Sequence, residues 1–175
     1  IKELRKQGKT SFLVTNGLNP KRLKELQRKK ALPTQLYVSL NTSNKEDYEK
    51  WHKSKEKNAW KKLNETLSLL KKLKGKTRTV IRMTLVKGLN MKPEDIKGFT
   101  ELIKKTNCDF IEVKSYMSVG FARKRLGYET MPSPEEIKEF AGKLAKLLKY
   151  KILDEKIESR VVLLGKYKSK MKIKK

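Results

Sequence analysis

The side chains with chemical capacity in this sequence gather at the ends of short apolar runs. Thr15-Asn16-Gly17 closes the run Ser11–Thr15, and Ser39-Leu40-Asn41 closes Gln35–Leu40. Val86-Lys87-Gly88 closes Arg78–Val86, and Lys114-Ser115-Tyr116 closes Asp109–Lys114. Each end is polar where a core would take apolar residues, so each can offer hydrogen bonds to a ligand. Ser, Asn and Gly after a strand are also ordinary turn residues, and both readings stand at this point. Arg82 and Thr84 are a different case. They alternate inside an otherwise apolar run, so they share one face of a strand, with Met83 and Leu85 on the other. A guanidinium on such a face suits an anionic ligand.

A second group lies in the connection from Ser115 to Met131. Arg123, Lys124 and Arg125 stand beside Tyr116, Phe121 and Tyr128. Aromatic rings interleaved with cations match the stacked bases and backbone phosphates of unpaired nucleic acid. A solvated basic turn has the same composition. Other chemistries are excluded. Cys108 is the only cysteine, so neither an internal disulfide nor a self-contained site of several thiolates can form. Beside a strand it reads as a small core residue. His52, alone on a Lys-rich helix, reads as a surface residue. No Gly-rich phosphate loop, Ser/His/Asp set or HExxH motif is present.

The elements that position these residues alternate in type. After an opening helical stretch at 1–8, which starts without a cap and so is expected to continue something longer, comes the first strand. Asn19-Pro20 supplies an N-cap and first-turn proline for a helix through Arg28. Ser43 and Glu46 have capping-box spacing for a helix around Tyr48 and Trp51. Trp60, Leu63, Leu67, Leu70 and Leu73 mark another helix, and Pro93-Glu94-Asp95 opens a fourth. Ser133-Pro134-Glu135-Glu136 starts a helix expected to bury Ile137, Phe140, Ala141, Leu144, Leu147 and Leu148, and Arg160–Leu164 is a last strand. Strands alternating with helices predict an α/β fold with a parallel sheet of five strands, either open or part of an incomplete (βα) barrel. In both, ligands sit at the C-terminal strand ends.

At 175 residues the chain suits one domain. Its 45 Lys and Arg against 19 Asp and Glu give a net charge of +26, which excludes a polycationic partner and favours polyanions. Most of these cations are lysines, which also collect on solvated faces for reasons of thermal adaptation. The eight arginines discriminate better, because a planar guanidinium fits phosphate geometry. No apolar run approaches 18 residues and no signal peptide is present, so membrane insertion and secretion are not indicated and a cytoplasmic location is expected.

Several longer motifs stand out in order along the chain: Ser11-Phe-Leu-Val-Thr-Asn-Gly17, Leu32-Pro-Thr-Gln-Leu-Tyr-Val-Ser-Leu40, Thr84-Leu-Val-Lys-Gly-Leu-Asn90 and Phe110-Ile-Glu-Val-Lys114. Tyr116-Met-Ser-Val-Gly120, Arg123-Lys-Arg-Leu126, Met131-Pro-Ser133 and Arg160-Val-Val-Leu-Leu-Gly165 complete the set. Together they resemble one family, the tRNA-4-demethylwyosine synthases, which are radical S-adenosylmethionine enzymes. The resemblance implies a partial (βα)6 TIM-like barrel whose N-terminal part is missing here. Residues 1–165 would be its C-terminal part, and 166–175 a basic tail expected to be disordered. It also implies the chemistry: a 4Fe-4S cluster cleaves S-adenosylmethionine, and the radical formed activates N1-methylguanosine beside the anticodon of phenylalanine tRNA. Pyruvate then supplies two carbons of the new ring.

By position, Thr15, Asn16, Ser39, Asn41, Arg82 and Thr84 would line the S-adenosylmethionine side. Lys114 would face the substrate, and Tyr116, Arg123, Lys124 and Arg125 would meet tRNA. The cluster cysteines and the pyruvate-holding lysine of the family lie upstream of the matched region, so this chain alone is expected to be inactive and to need the missing half of the barrel. The sequence departs from the family at Asn41-Thr42-Ser43, where Asp-Ala-Pro is commoner. It departs also near Lys53-Ser54, in place of an Arg-Pro pair, and at Pro134, in place of His. The competing readings are a non-catalytic basic RNA-binding module and an unrelated α/β nucleotide binder.

Overall fold

Local sequence sets most of the helix starts. The structure, a computed structural model, describes residues 1–173. After a short helix α1 (Lys2–Lys6) and strand β1 (Phe12–Thr15), helix α2 (Pro20–Arg28) begins where the Asn19 side chain accepts from the Arg22 backbone N–H at 3.0 Å. Strand β2 (Gln35–Ser39) is followed by α3 (Lys45–His52) and α4 (Ala59–Leu73). The cap of α3 is Asn44 and not the Ser43 that the capping-box spacing predicts; Asn44 Oδ1 accepts from the Asp47 N–H at 2.9 Å. Ser43 is instead buried and donates to Asp95 at 2.5 Å. Asp95 itself accepts from the Lys92 N–H at the start of α5 (Pro93–Lys104). A tertiary contact to a buried carboxylate has taken the hydroxyl away from its local role.

Strands β3 (Arg78–Leu85) and β4 (Phe110–Ser115) precede the best-capped helix, α6 (Pro134–Leu148), which buries its expected residues except Leu147, 50% exposed because it turns off the face that meets the sheet. There Ser133 Oγ accepts from the Glu136 N–H at 3.2 Å and Glu136 returns a bond to the Ser133 N–H at 2.7 Å.

The sheet has six strands in the order β1-β2-β3-β4-β6-β5, counting β5 (Lys151–Lys156) and β6 (Val161–Gly165). Strands β1 to β4 are parallel as expected, but the all-parallel expectation fails beyond them. Strand β6 pairs antiparallel with β4, and β5 antiparallel with β6. The reason lies in the connection. Two reversals leave β5 running the same way as β4, so β4-α6-β5 is the next parallel crossover, and β6 turns back through 157–160 into the gap between them. The sequence hides β5 because Lys151-Ile-Leu-Asp-Glu-Lys156 is an exposed edge strand with no apolar stripe.

Burial separates the two sheet faces. Leu36, Val38, Leu40, Ile81, Met83, Leu85, Ile111 and Val113 on one face are all fully buried, against Leu63, Leu67 and Leu70 of α4, Phe99 and Ile103 of α5, and Ile137, Ala141 and Leu144 of α6. The opposite face carries Phe12, Val14, Gln35, Tyr37, Ser39, Arg82, Thr84, Glu112 and Lys114, which are exposed or half-buried, and, nearer the strand starts, Val80 and Phe110, which are buried. Cys108 is a core residue: Tyr150 donates to its carbonyl at 2.6 Å, and burial pushes its thiol pKa up. His52 is on the surface, its ring stacked on Tyr48. Residues 166–173, expected as part of a disordered tail, include a short 3₁₀ turn at Lys168–Lys170, with Lys170 Nζ 3.4 Å from Asp109; residues 174–175 lie outside the described residues.

Gly17 shows how tightly the first strand end is held. Its φ is +75°, and a Cβ there would meet Leu63 Cδ1 at 2.9 Å and Val38 Cγ1 at 3.2 Å. Gly17→Ala is therefore expected to lower unfolding stability by about 1–3 kcal/mol, read from the urea midpoint at constant m-value.

Candidate functional site at the strand ends

The open sheet face becomes polar toward the C-terminal ends of its strands. Cross-strand register places Ser39 beside Arg82 and Arg82 beside Glu112, with Thr84 beside Lys114 one step further on. Arg82 Nε lies 3.0 Å from Glu112 Oε1, an ion pair. The angle is not that of a hydrogen bond, so the Nε–H has no acceptor among the described residues. Tyr37, on the same face, has its phenol pKa raised, first by burial and then by the nearby Glu112 carboxylate. A guanidinium, a carboxylate, an ammonium, a phenol and two aliphatic hydroxyls thus share one wall that no helix covers.

The remaining strand-end candidates are engaged in local structure. Thr15 Oγ1 accepts from the Gly17 N–H at 3.1 Å, and Asn16 Oδ1 accepts from the Leu18 N–H at 3.2 Å, both of them turn contacts. Asn41 Oδ1 accepts from the Thr84 N–H at 3.0 Å and so ties the tip of β2 to β3. Asn90, which sequence reading did not select, completes this clasp. Its carboxamide donates to the Asn41 and Thr84 carbonyls at 2.8 and 2.9 Å and accepts from the Val86 N–H at 2.7 Å. Nothing in the spacing announces Asn90, because the partner that makes it a clasp between strands, Asn41, lies 49 residues away. Glu112 was also missed, although the alternation that singled out Arg82 and Thr84 would have found it between Phe110 and Lys114.

The basic connection after β4 is a folded knob. The Tyr116 hydroxyl donates to the Leu126 carbonyl at 3.0 Å, and Ser118 Oγ donates to the same carbonyl at 3.1 Å. Short 3₁₀ turns at Gly120–Lys124 and Tyr128–Thr130 fill the loop. Arg123, Lys124 and Arg125 are exposed, and among the described residues none of them is in an ion pair. The far end of the knob is pinned to the sheet, where the Lys87 N–H donates to the Thr130 carbonyl at 2.9 Å and Lys87 Nζ meets Glu136 at 2.8 Å. Two groups of candidates are thus brought together: a polar wall of Ser39, Arg82, Thr84 and Lys114, and a basic knob rooted in Tyr116.

An α/β sheet with helices on one face and polar strand ends on the other defines a class of ligand-facing α/β proteins, and the comparisons narrow it. Residues 105–166 match a family model described as wyosine base formation, a span that contains β4, the knob, α6 and both antiparallel strands. The S-adenosyl-L-methionine-dependent tRNA 4-demethylwyosine synthase of Pyrococcus abyssi is 44% identical over 166 residues, 94% of this chain and 47% of that protein. The mouse counterpart is 36% identical over 174 residues, 98% of this chain and 23% of that one. A solved structure of TYW1 with a lysine–pyruvate adduct bound aligns with a TM-score of 0.81 at 37% identity, over 95% of this chain and 50% of that one. The radical SAM enzyme HemN of Escherichia coli shares the fold at a TM-score of 0.56 and 16% identity, over 88% of this chain and 34% of that one.

The chain is similar in sequence and in fold to tRNA 4-demethylwyosine synthases, the family its motifs resemble. It spans about half the length of the Pyrococcus and Methanocaldococcus relatives.

Glu136, paired with Lys87 where the knob meets the sheet, sets a pH dependence. Its carboxyl pKa is held below the ordinary value, first by Lys87 and then by the Ser133 N–H. A lowered folded pKa gives stability that is full above the ordinary glutamate range and is lost as pH falls through the folded value. Glu136→Gln is expected to destabilise the protein near pH 7 and to flatten the fall in urea midpoint below about pH 4.5, the ordinary glutamate value. Asn90→Ala, which strands three backbone groups, is expected to cost about 2–4 kcal/mol in the same titration.

Proposed function

We propose that this chain forms part of a tRNA 4-demethylwyosine synthase, a radical SAM enzyme that builds the tricyclic base beside the anticodon of phenylalanine tRNA from N1-methylguanosine. The observation that carries this reading is the 44% identity over 94% of the chain to a relative of that name, with the polar wall and basic knob falling inside the matched region. The strand order supports a barrel wall. Four consecutive parallel strands with every crossover helix on one side are what a (βα) barrel requires, whereas a doubly wound sheet places helices on both faces. The open face of β1 to β4 is then the inner wall of a partial barrel, and the rest of the protein closes it.

The residues fit one cofactor and not the other. Three or more thiolates are needed for a 4Fe-4S cluster, and the sole thiol here is buried in the core. No group of three His, Cys, Asp or Glu suited to a metal occurs among the described residues. The cluster must therefore be held elsewhere in the full protein. S-adenosylmethionine, which supplies the hydrogen-abstracting group when bound with the cluster, carries a carboxylate and ribose hydroxyls. Arg82, Ser39 and Thr84 offer a guanidinium and two hydroxyls on the open face for such groups. Thr15 and Asn16 shape the rim through their turn contacts, and Asn41 through its bond to the Thr84 N–H. Lys114, beside Thr84, would face the substrate end.

Pyruvate is the proposed co-substrate, supported by the lysine–pyruvate adduct in the similar structure. Transfer RNA is the proposed partner of Tyr116, Arg123, Lys124 and Arg125. A cytoplasmic setting follows from that substrate, and no helix among the described residues is long and apolar enough to cross a membrane.

The test separates wall from knob in the full-length protein. Arg82→Leu is expected to weaken S-adenosylmethionine binding by roughly 10- to 100-fold while leaving tRNA affinity within about two-fold. Arg123→Glu with Arg125→Glu should do the reverse. It should lower tRNA affinity and make the slope of log affinity against log salt shallower by roughly 1.5–2, in filter-binding titrations. Equal effects of both variants on both ligands would overturn the assignment.

A further inference from the structure

Phe121 is the most exposed large apolar side chain of the described residues, at 81%, and Tyr128 (67%) and Val119 (61%) share the same knob. A ring left this open forgoes the favourable burial that a phenylalanine normally gains. It is not loose. The Ala122 N–H donates to the Val119 carbonyl at 3.1 Å, and the Arg125 and Leu126 N–H groups both donate to the Ala122 carbonyl at 3.0 Å, so the backbone on either side of the ring is fixed. Lys124 Nζ sits 5.2 Å from the ring centroid, over its face. Arg123 and Arg125 flank this pair and are free of carboxylates among the described residues. The Tyr116 ring differs: it is half-buried and its hydroxyl is spent on the Leu126 carbonyl, so it braces the knob from below.

We propose that Phe121, with Lys124 over its ring, is a stacking platform for an unpaired base of the RNA. The inference deepens the tRNA reading above and rests on it. The occupant is chosen by charge and shape. A rigid exposed ring within a cluster of unpaired cations suits a planar base whose own phosphates reach those cations. A protein partner with an apolar pocket would leave three cations facing it without counter-charges. Duplex RNA hides its base faces within the helix, so the platform should select unpaired nucleotides.

The experiment measures tRNA affinity at several salt concentrations for the unchanged protein and for Phe121→Ala, Phe121→Leu, Phe121→Trp and the Arg123→Glu/Arg125→Glu pair. Far-ultraviolet dichroism checks folding, and the exposure of Phe121 makes loss of fold from its truncation unexpected. Stacking predicts that Phe121→Ala and Phe121→Leu each weaken binding roughly 5- to 150-fold with an unchanged salt slope, while Phe121→Trp retains it. It predicts also that a blunt RNA duplex binds more weakly and is indifferent to Phe121→Ala. Unaltered binding by Phe121→Ala and Phe121→Leu, with binding lost in the arginine pair, overturns the platform and leaves the tRNA reading standing. Absence of salt-sensitive tRNA binding by the unchanged protein overturns both.

Discussion

The structure depends on one geometric constraint, the handedness of parallel crossovers applied three times in the same direction. Each strand of β1 to β4 lies beside the one before it, so every intervening helix falls on the same side of the sheet. That side receives most of the large apolar residues and becomes the core. The other side is left without helical cover, and its residues are free to serve a ligand. The mixture on that face, with Arg82, Glu112 and Lys114 alongside Phe12, Val14 and Tyr37, follows from having no helix to pack against and polar work to do at one end.

Position along the strands then divides labour. The middle of the sheet is held by packing, while the C-terminal ends are held by polar clasps. Asn41 and Asn90 together satisfy four backbone groups where β2 and β3 end, in a place where hydrogen bonds with water would compete poorly with a buried amide. The Arg82–Glu112 pair, with each side chain only a quarter to a third exposed, contributes little net stability and much orientation. It holds a guanidinium in place on the face where an anion would arrive.

The knob after β4 depends on the same frame. Its root is the Tyr116 N–H donating to the Leu85 carbonyl, its far end is the Lys87–Thr130 bond, and its base is α6 with its double cap. A loop so anchored can present Phe121 and three cations without spending binding energy on ordering them. The antiparallel pair β6 and β5 extends the sheet beyond β4, with β6 between β4 and the exposed edge strand. The sheet therefore continues past the proposed barrel wall on that side.

Much of this was legible in the sequence where the information is local. Asn19-Pro20 and Ser133-Pro134-Glu135-Glu136 specify their helix starts through bonds spanning three residues, and the apolar runs of β1 to β4 specify strands by composition. The alternation of Arg82 and Thr84 identified one face of β3 correctly, because side-chain direction in a strand has a fixed period of two. Where a side chain's partner is distant in sequence, only the tertiary structure decided. Ser43 left its capping role for Asp95, 52 residues away, and Asn90 reached back 49 residues to Asn41. Strand β5 has no apolar stripe because it is an edge, and being an edge is a property of the assembled sheet. The direction of β6 was likewise fixed by the gap left between β4 and β5. Local hydrogen bonds and periodicity are written in neighbouring residues; which face stays open, and which polar groups meet there, is set only when the strands come side by side.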